Sequence, residues 1–219
     1  MTAARSEGHA KIAGRGRPRF DDQRHIPEAL LEAAEAGLRV KSFDELTARE
    51  IAQSAGTNAA MITYYFDGKN GLFLALIEKS LKNISAELEA LEANILTVKG
   101  SPTRALIALL TRHYYSNVRL YKVVQDELCN EHSGIRRQYM KRGPRTFVQV
   151  TRILKKLVRA GVYKPDTDVR RAGFLITCLI STPISMSPVV DWTGFTLEEL
   201  KGDAWIDAIS AMLDREFAA

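Results

Sequence analysis

Four histidines (His9, His25, His113, His132) and two cysteines (Cys129, Cys178) are the residues most able to act as nucleophiles, bases or metal ligands. Their arrangement argues against catalysis. No Ser or Cys stands in a nucleophile motif, and no glycine-rich phosphate loop follows a strand-like run. Glu127, Cys129 and His132, joined by His113 one helix earlier, come nearest to a metal set. Their spacing matches no strong zinc pattern, and a solvated helix end accounts for them. The cysteines are read as small buried apolar residues. No catalytic residue, metal or cofactor is therefore assigned. A different chemistry lies in the basic start of the chain, where Arg15-Gly16-Arg17-Pro18 is followed by Arg19. Arginines on an extended Gly/Pro backbone fit a narrow A·T minor groove, or touch phosphates along any duplex.

The element that would position such contacts on bases is Thr47–Phe73. Thr47 and Glu50 have capping-box spacing, which starts a helix with Ile51, Ala52 and Ala55 on one face. Gly56 ends it where a left-handed residue is needed. Asn58 is the expected N-cap of a second short helix, whose inward face is Ile62, Tyr65 and Phe66. Ala52, Gly56 and Ile62 stand at offsets of zero, four and ten, which suits two short helices crossing at close range through a tight turn. The outer face, small and polar at Asn58, Ala59 and Ala60 and aromatic at Tyr64, is then free to enter a major groove. A plain αα-hairpin within a bundle is the other reading of the same pattern.

On these residues the stretch from Arg15 to Ala75 resembles the DNA-binding domain of the TetR family of transcriptional regulators. The resemblance implies a recognition helix over Asn58–Phe66 and a phosphate-binding lysine, Lys69, at the start of the next helix. There an ammonium and the positive end of a helix dipole would act on one phosphate. The family commonly has Tyr where this chain has Thr63, and Tyr64 and Tyr65 match positions that touch backbone or base methyls. Tyr65 also falls on the inward face, where packing competes for it. Candidate DNA contacts are Arg15, Arg17, Arg19, Thr47, Thr57, Asn58, Ala59, Ala60, Thr63, Tyr64, Tyr65 and Lys69. The family further implies double-stranded operator DNA as partner, a homodimer, and repression relieved by a small-molecule effector. An architectural DNA binder without an effector is the alternative.

The rest of the chain reads as all-α, with about nine helices in total. Residues 1–21 form a basic arm, 22–72 the helix-turn-helix domain and 73–219 a helical effector-binding and dimerisation domain. The first helix is expected from Ile26 to Val40 with Pro27 in its first turn, where a missing amide costs nothing. A long helix from Lys69 to Ile95 links the domains. Gly100 breaks the chain before Ser101-Pro102, an N-cap and N1 pair. The pair Ile135–Lys141 and Arg145–Ala160 is interrupted by Gly143-Pro144. An apolar helix follows from Asp166 to Ser187, and Ser181–Thr196 contains no clear helix of its own. The last helix is expected from Leu200 to Phe217. The family places its dimer bundle on the last two long helices, here represented by Ala172, Leu175, Ile176, Leu179, Trp205, Ile209, Met212 and Leu213. Aromatic and soft residues that could line an effector pocket are Tyr114, Tyr115, Met140, Phe147, Phe174 and Trp192.

Charge is unevenly spread beneath a net +5. Acidic residues outnumber basic ones across the helix-turn-helix, so DNA contact must rely on placed groups and helix N-termini rather than a bulk field. Arg136, Arg137, Lys141, Arg142, Arg145, Arg152, Lys155, Lys156 and Arg159 crowd one later segment. They form either a solvated face whose stems cover apolar surface or a site for an anionic effector. No apolar run reaches the ~20 residues of a membrane span, and the start lacks a signal-peptide core, so a cytoplasmic location is expected.

Overall fold

A computed structural model describes residues 22–141 and 145–219. Arg15, Arg17, Arg19, Arg142 and Gly143-Pro144 lie outside the described residues. The described residues form eleven α-helices and one 3-10 turn, without a named strand. They run α1 (Asp22–Leu38), α2 (Ala48–Ser54), α3 (Ala60–Phe66), α4 (Lys69–Asn94), α5 (Pro102–Ser116) and α6 (Val118–Cys129). After these come α7 (Gly134–Lys141), α8 (Arg145–Arg159), α9 (Val169–Ser185), α10 (Ser187–Trp192) and α11 (Asp203–Phe217), with the 3-10 turn at Glu199–Lys201. The all-α expectation is met. Short α10 adds a helix where Ser181–Thr196 was expected to lack one.

Two apolar cores divide the chain. The front core gathers Leu30, Ala34 and Leu38 of α1, Ile51 and Ala52 of α2, Ile62 of α3 and Leu72–Ile77 of α4. It also takes Leu120 and Val124 of α6 and Ile135 of α7. The rear core is built from Ile84 and Leu88 of α4 with α5, α8, α9 and α11. Thus α4 supplies both cores in succession. α6 is shared as well, because its Tyr121 belongs to the rear core.

α1 starts a turn earlier than expected and carries Pro27 as its sixth residue. The lost amide bond is outweighed by an inward face of Leu30, Ala33, Ala34 and Leu38 that is almost wholly buried. Gly37 has a packing reason to stand in a helix. A Cβ there would lie 2.7 Å from Leu46 Cδ1, so glycine lets the loop residue seal the core. Ser101 caps α5 as expected, accepting from Arg104 N at 3.2 Å, and Pro102 follows at N1.

α8 buries Gln149, Val150, Ile153, Leu154 and Leu157 and turns its cations outward. Two of those cations have internal work. Lys156 Nζ donates to the carbonyls of Glu92 (2.5 Å) and Ala93 (3.3 Å), capping the C-terminal end of α4, and Arg152 Nε pairs with Glu92 at 2.6 Å. α9 lies close on α8 because Gly173 leaves room: a Cβ there would meet Thr151 Cγ2 at 3.0 Å. Pro183 does not stop α9, which runs two residues beyond it. α11 is tied to α5 by Asp214, whose carboxylate accepts from Ser101 Oγ at 3.0 Å and from the Thr103 hydroxyl. No helix among the described residues is long and apolar enough to cross a membrane.

Candidate nucleic-acid interface

The α2–α3 unit is set by its caps. Thr47 Oγ1 accepts from Glu50 N at 3.2 Å, and Glu50 Oε2 accepts from Thr47 N at 2.9 Å, closing the capping box. Lys41 Nζ sits 2.5 Å from Glu50 Oε1. That ammonium, then the Thr47 amide and hydroxyl, hold the Glu50 carboxyl down at about 2. α2 ends in two reversed bonds: Gly56 N donates to Gln53 O at 3.1 Å and Thr57 N to Ala52 O at 2.8 Å. This is a Schellman closure, with Gly56 at φ 68°. Asn58 Oδ1 then accepts from Ala60 N at 3.0 Å. The expected cap is present, although the regular helix begins at Ala60.

α3 turns Ile62 into the front core at 1% exposure. Asn58, Ala59, Ala60, Thr63 and Tyr64 stand on the opposite, exposed side, with Tyr64 76% exposed. Tyr65 is half-buried and packs on the front core, and its ring meets Tyr64 edge-on with centroids 4.9 Å apart. Thr57 is half-buried in the turn, and Thr47 is exposed with its hydroxyl held in the capping box. Tyr65, Thr47 and, through its cap, Asn58 thus have structural duties that Ala59, Ala60 and Tyr64 are not shown to share.

The α3–α4 turn is equally constrained. Asp67 takes the left-handed conformation at φ 59°, and Gly68 follows at φ 96°. A Cβ on Gly71 would lie 1.5 Å from Phe66 O, so only glycine lets α4 start against the end of α3. No side chain caps α4, which leaves its first amides open to an anion. Lys69 lies beside them with Nζ 4.2 Å above the Phe43 ring, and Phe43 in turn packs on Phe73 at 4.6 Å. Burial lowers the Lys69 pKa, against the opposing field of Asp44. The Phe43–Lys69 contact had no sequence signal, since the two residues are remote in the chain.

The expected effector residues do not converge. Met140, Phe174 and Trp192 are 63%, 62% and 89% exposed, on outer faces of α7, α9 and α10. Tyr115 is buried in the rear core with its hydroxyl unpartnered, while Tyr114 and Phe147 are half-buried. Tyr114 packs against Tyr121 with ring centroids 4.5 Å apart and planes tilted by 48°. The expected dimer residues divide in two. Ala172, Ile176, Ile209 and Leu213 fill the chain's own rear core at 4% exposure or less, so they have no surface left to offer a partner. Leu175 and Met212 are exposed, and Leu179 and Trp205 are half-buried. Glu127 and His113 lie apart: Glu127 accepts the Ser133 hydroxyl, whereas His113 bonds Tyr121 in the core.

Residues 30–76 match the family model for bacterial regulatory proteins of the tetR family. YttP, a probable HTH-type transcriptional regulator of Bacillus subtilis (strain 168), is 39% identical over 70 residues, covering 32% of this chain and 34% of that protein. The HTH-type transcriptional dual regulator CecR of Shigella flexneri is 34% identical over 118 residues, covering 52% of this chain and 49% of that protein. The aligned stretches thus span about a third and about half of these relatives' lengths. The fold resembles that of the transcriptional regulator FadR from Bacillus subtilis in complex with stearoyl-CoA, with TM-score 0.63, 19% identity and coverage of 85% of this chain and 96% of that one. It also resembles a tetR-family regulator from Mesorhizobium loti, with TM-score 0.67, 18% identity and coverage of 93% and 100%.

Proposed function

We propose that this chain, whose front domain belongs to the tetR family of bacterial regulatory proteins, is a sequence-specific DNA-binding transcriptional regulator rather than an enzyme. The observation that carries the reading is the two-sidedness of α3: Ile62 is sealed in the core while Tyr64 and the small residues before it face outward. An exposed helix face of that composition, fixed by two caps and a glycine turn, suits insertion into a major groove. Lys69 and the open amides at the start of α4 hold a backbone phosphate and set the register. The arm arginines Arg15, Arg17 and Arg19 add phosphate or minor-groove contacts.

Two recognition helices read a palindrome only as a pair, so the functional unit is a homodimer. Phe174 and Leu175 on α9 and Met212 on α11 support this, because they are large apolar side chains left exposed on the last two long helices. The protein acts as a repressor, released when a small-molecule effector favours a dimer with a different helix separation. The likeness in fold to FadR, solved with stearoyl-CoA, supports an effector-responsive rear domain. Exposed Arg137, Arg145 and Lys155 support an anionic group on that effector, whereas Arg152 and Lys156 are spent on α4. α4 and α6, both shared by the two cores, are the elements through which a change in the rear reaches the front. The regulator works in the cytoplasm.

A gel shift against the promoter beside its own gene, at two salt concentrations, tests the reading. Retention of that promoter should survive the higher salt better than retention of an unrelated fragment. Equal, salt-sensitive retention of every fragment would favour the architectural alternative.

A further inference from the structure

Ser80, His113 and Tyr121 form a hydrogen-bonded triangle that ties α4, α5 and α6 together. Tyr121 OH lies 2.6 Å from His113 Nε2 and 2.9 Å from Ser80 Oγ, and Ser80 Oγ lies 3.3 Å from Nε2. The triangle stands where the two cores meet. On α4, Ile77 belongs to the front core and Ile84 to the rear, with Ser80 between them. On α6 the change falls between adjacent residues, since Leu120 lies in the front core and Tyr121 in the rear. The two helices that supply both cores are therefore joined at the crossing by polar bonds, and the third member of the group is an imidazole.

A cleft of about 160 Å³ opens onto His113 and Ser80, so protons from solvent reach the ring. Charged groups face it from each packed element. α1 brings Glu35, whose carboxylate is shared by Arg39 at 3.7 Å and Lys79 at 3.6 Å. α4 brings Lys79 and the exposed Glu87. Tyr114, Tyr121 and Tyr139, from α5, α6 and α7, close the inner side, and Arg119 of α6 faces Glu45 instead. Burial raises the pKa of all three tyrosines, so none becomes an anion that could hold an imidazolium. Burial likewise lowers the His113 pKa, against the opposing field of Glu87. Whichever ring nitrogen carries the proton at neutral pH, acid puts a full charge into this half-buried place. Where Nε2 had accepted from Tyr121, the bond must also reverse, and the Ser80 proton is driven out of the triangle.

We propose that the Ser80–His113–Tyr121 triangle is a proton-operated clasp, which when neutral locks α4 to α6 in the DNA-binding form and when charged loosens the crossing and releases DNA. The release rests on the DNA-binding reading, whereas the clasp rests on the triangle alone. Because the folded pKa lies below the ordinary 6.5, the clasp is complete above that value and is lost as pH falls through the folded one. Hydrogen-exchange mass spectrometry of the full chain without DNA, at about pH 7.5 and about pH 5.5, tests it with His113→Gln as reference. The Gln amide does not titrate, and the intrinsic pH dependence of exchange cancels in the ratio of the two proteins. That ratio should rise about fivefold on acidification over residues 76–84 and 118–125, and stay constant over α8. Tyr121→Phe keeps the ring but removes the central hydroxyl. It should exchange fast in both segments at either pH, and it replaces His113→Gln as reference if that variant does not fold. Anisotropy on the promoter beside the chain's own gene should show the unaltered protein losing about fivefold more affinity on acidification than His113→Gln. An exchange ratio that does not change with pH would overturn the clasp. A changing ratio with equal loss of DNA affinity in both proteins would overturn the release. Absence of DNA binding at either pH would strike the regulator reading, with the clasp still decided by exchange.

Discussion

Lys69 rests its ammonium on the face of Phe43, close to the uncapped start of α4. A phosphate arriving there meets a placed cation together with free amides, and neither reads sequence. Lys69→Ala should therefore weaken every DNA site alike and reduce the salt slope of log K by about one, measured by fluorescence anisotropy across a salt series. Ala59 and Ala60 lie exposed on the side proposed to face the groove, where a longer side chain would meet base edges. Ala60→Gln should alter preference by about 1–3 kcal/mol between operators differing at one base pair. Uniform loss in both variants would contradict this division of roles. A third residue-scale expectation concerns Glu50, whose folded carboxyl is held at about 2 against an ordinary 4.5. A depressed folded value means its contribution is complete above the unfolded value and is lost as pH falls through the folded one. Acid titration by circular dichroism should thus show Glu50→Gln flattening the stability change between about pH 4.5 and 2. Thr47→Ala removes the partner cap and should cost about 1 kcal/mol, lowering Tm by about 2–4 °C.

At the scale of elements the α3–α4 corner is the least tolerant point. Gly71→Ala drives a methyl into the Phe66 carbonyl, which is backbone and cannot swing aside. A loss of more than about 3 kcal/mol is expected in urea unfolding, with the midpoint shifted and the slope unchanged. Gly37→Ala, whose Cβ meets only the movable tip of Leu46, should cost less. Corners of this kind were partly legible in the sequence. Thr47 with Glu50, Gly56, Asn58 and Ser101-Pro102 are local signals, each spanning one turn, and the helices they bound appear within about two residues of expectation. The exposed row from Asn58 to Tyr64 followed from the same offsets. What could not be read is what depends on distant partners. Pro27 sits inside α1 because a long inward face outweighs one missing bond. Phe43 finds Lys69 only once three helices have packed. Leu175 and Ile176 are equally apolar neighbours, yet one is exposed and the other buried. Periodicity identifies an apolar face but not whether its own chain or a second copy covers it.

For the whole molecule that last distinction decides how the two halves work together. Ile176, Ile209 and Leu213 close the rear core from within, so the proposed dimer must be held by side chains left outside, among them Phe174 and Leu175 on α9 and Met212 on α11. Changing an inner residue damages the fold, whereas changing an outer one is expected to separate the copies of the proposed dimer without unfolding them. Leu175→Asp places a charge on a side chain that is 41% exposed in the single chain. In the isolated subunit that charge stays hydrated, and in a dimer seam it would lie buried and unpaired. The variant should keep its helical content and Tm within a few degrees, yet sediment as a single subunit at concentrations where the proposed homodimer of the unaltered chain sediments as a pair. Its affinity for a palindrome should fall toward that for a half-site, because the second recognition helix is no longer delivered with the first. Sedimentation velocity and anisotropy on full-site and half-site DNA read both effects. A Leu175→Asp protein that stays dimeric would move the seam off α9, and one that becomes monomeric yet grips the palindrome undiminished would remove the need for two copies at all.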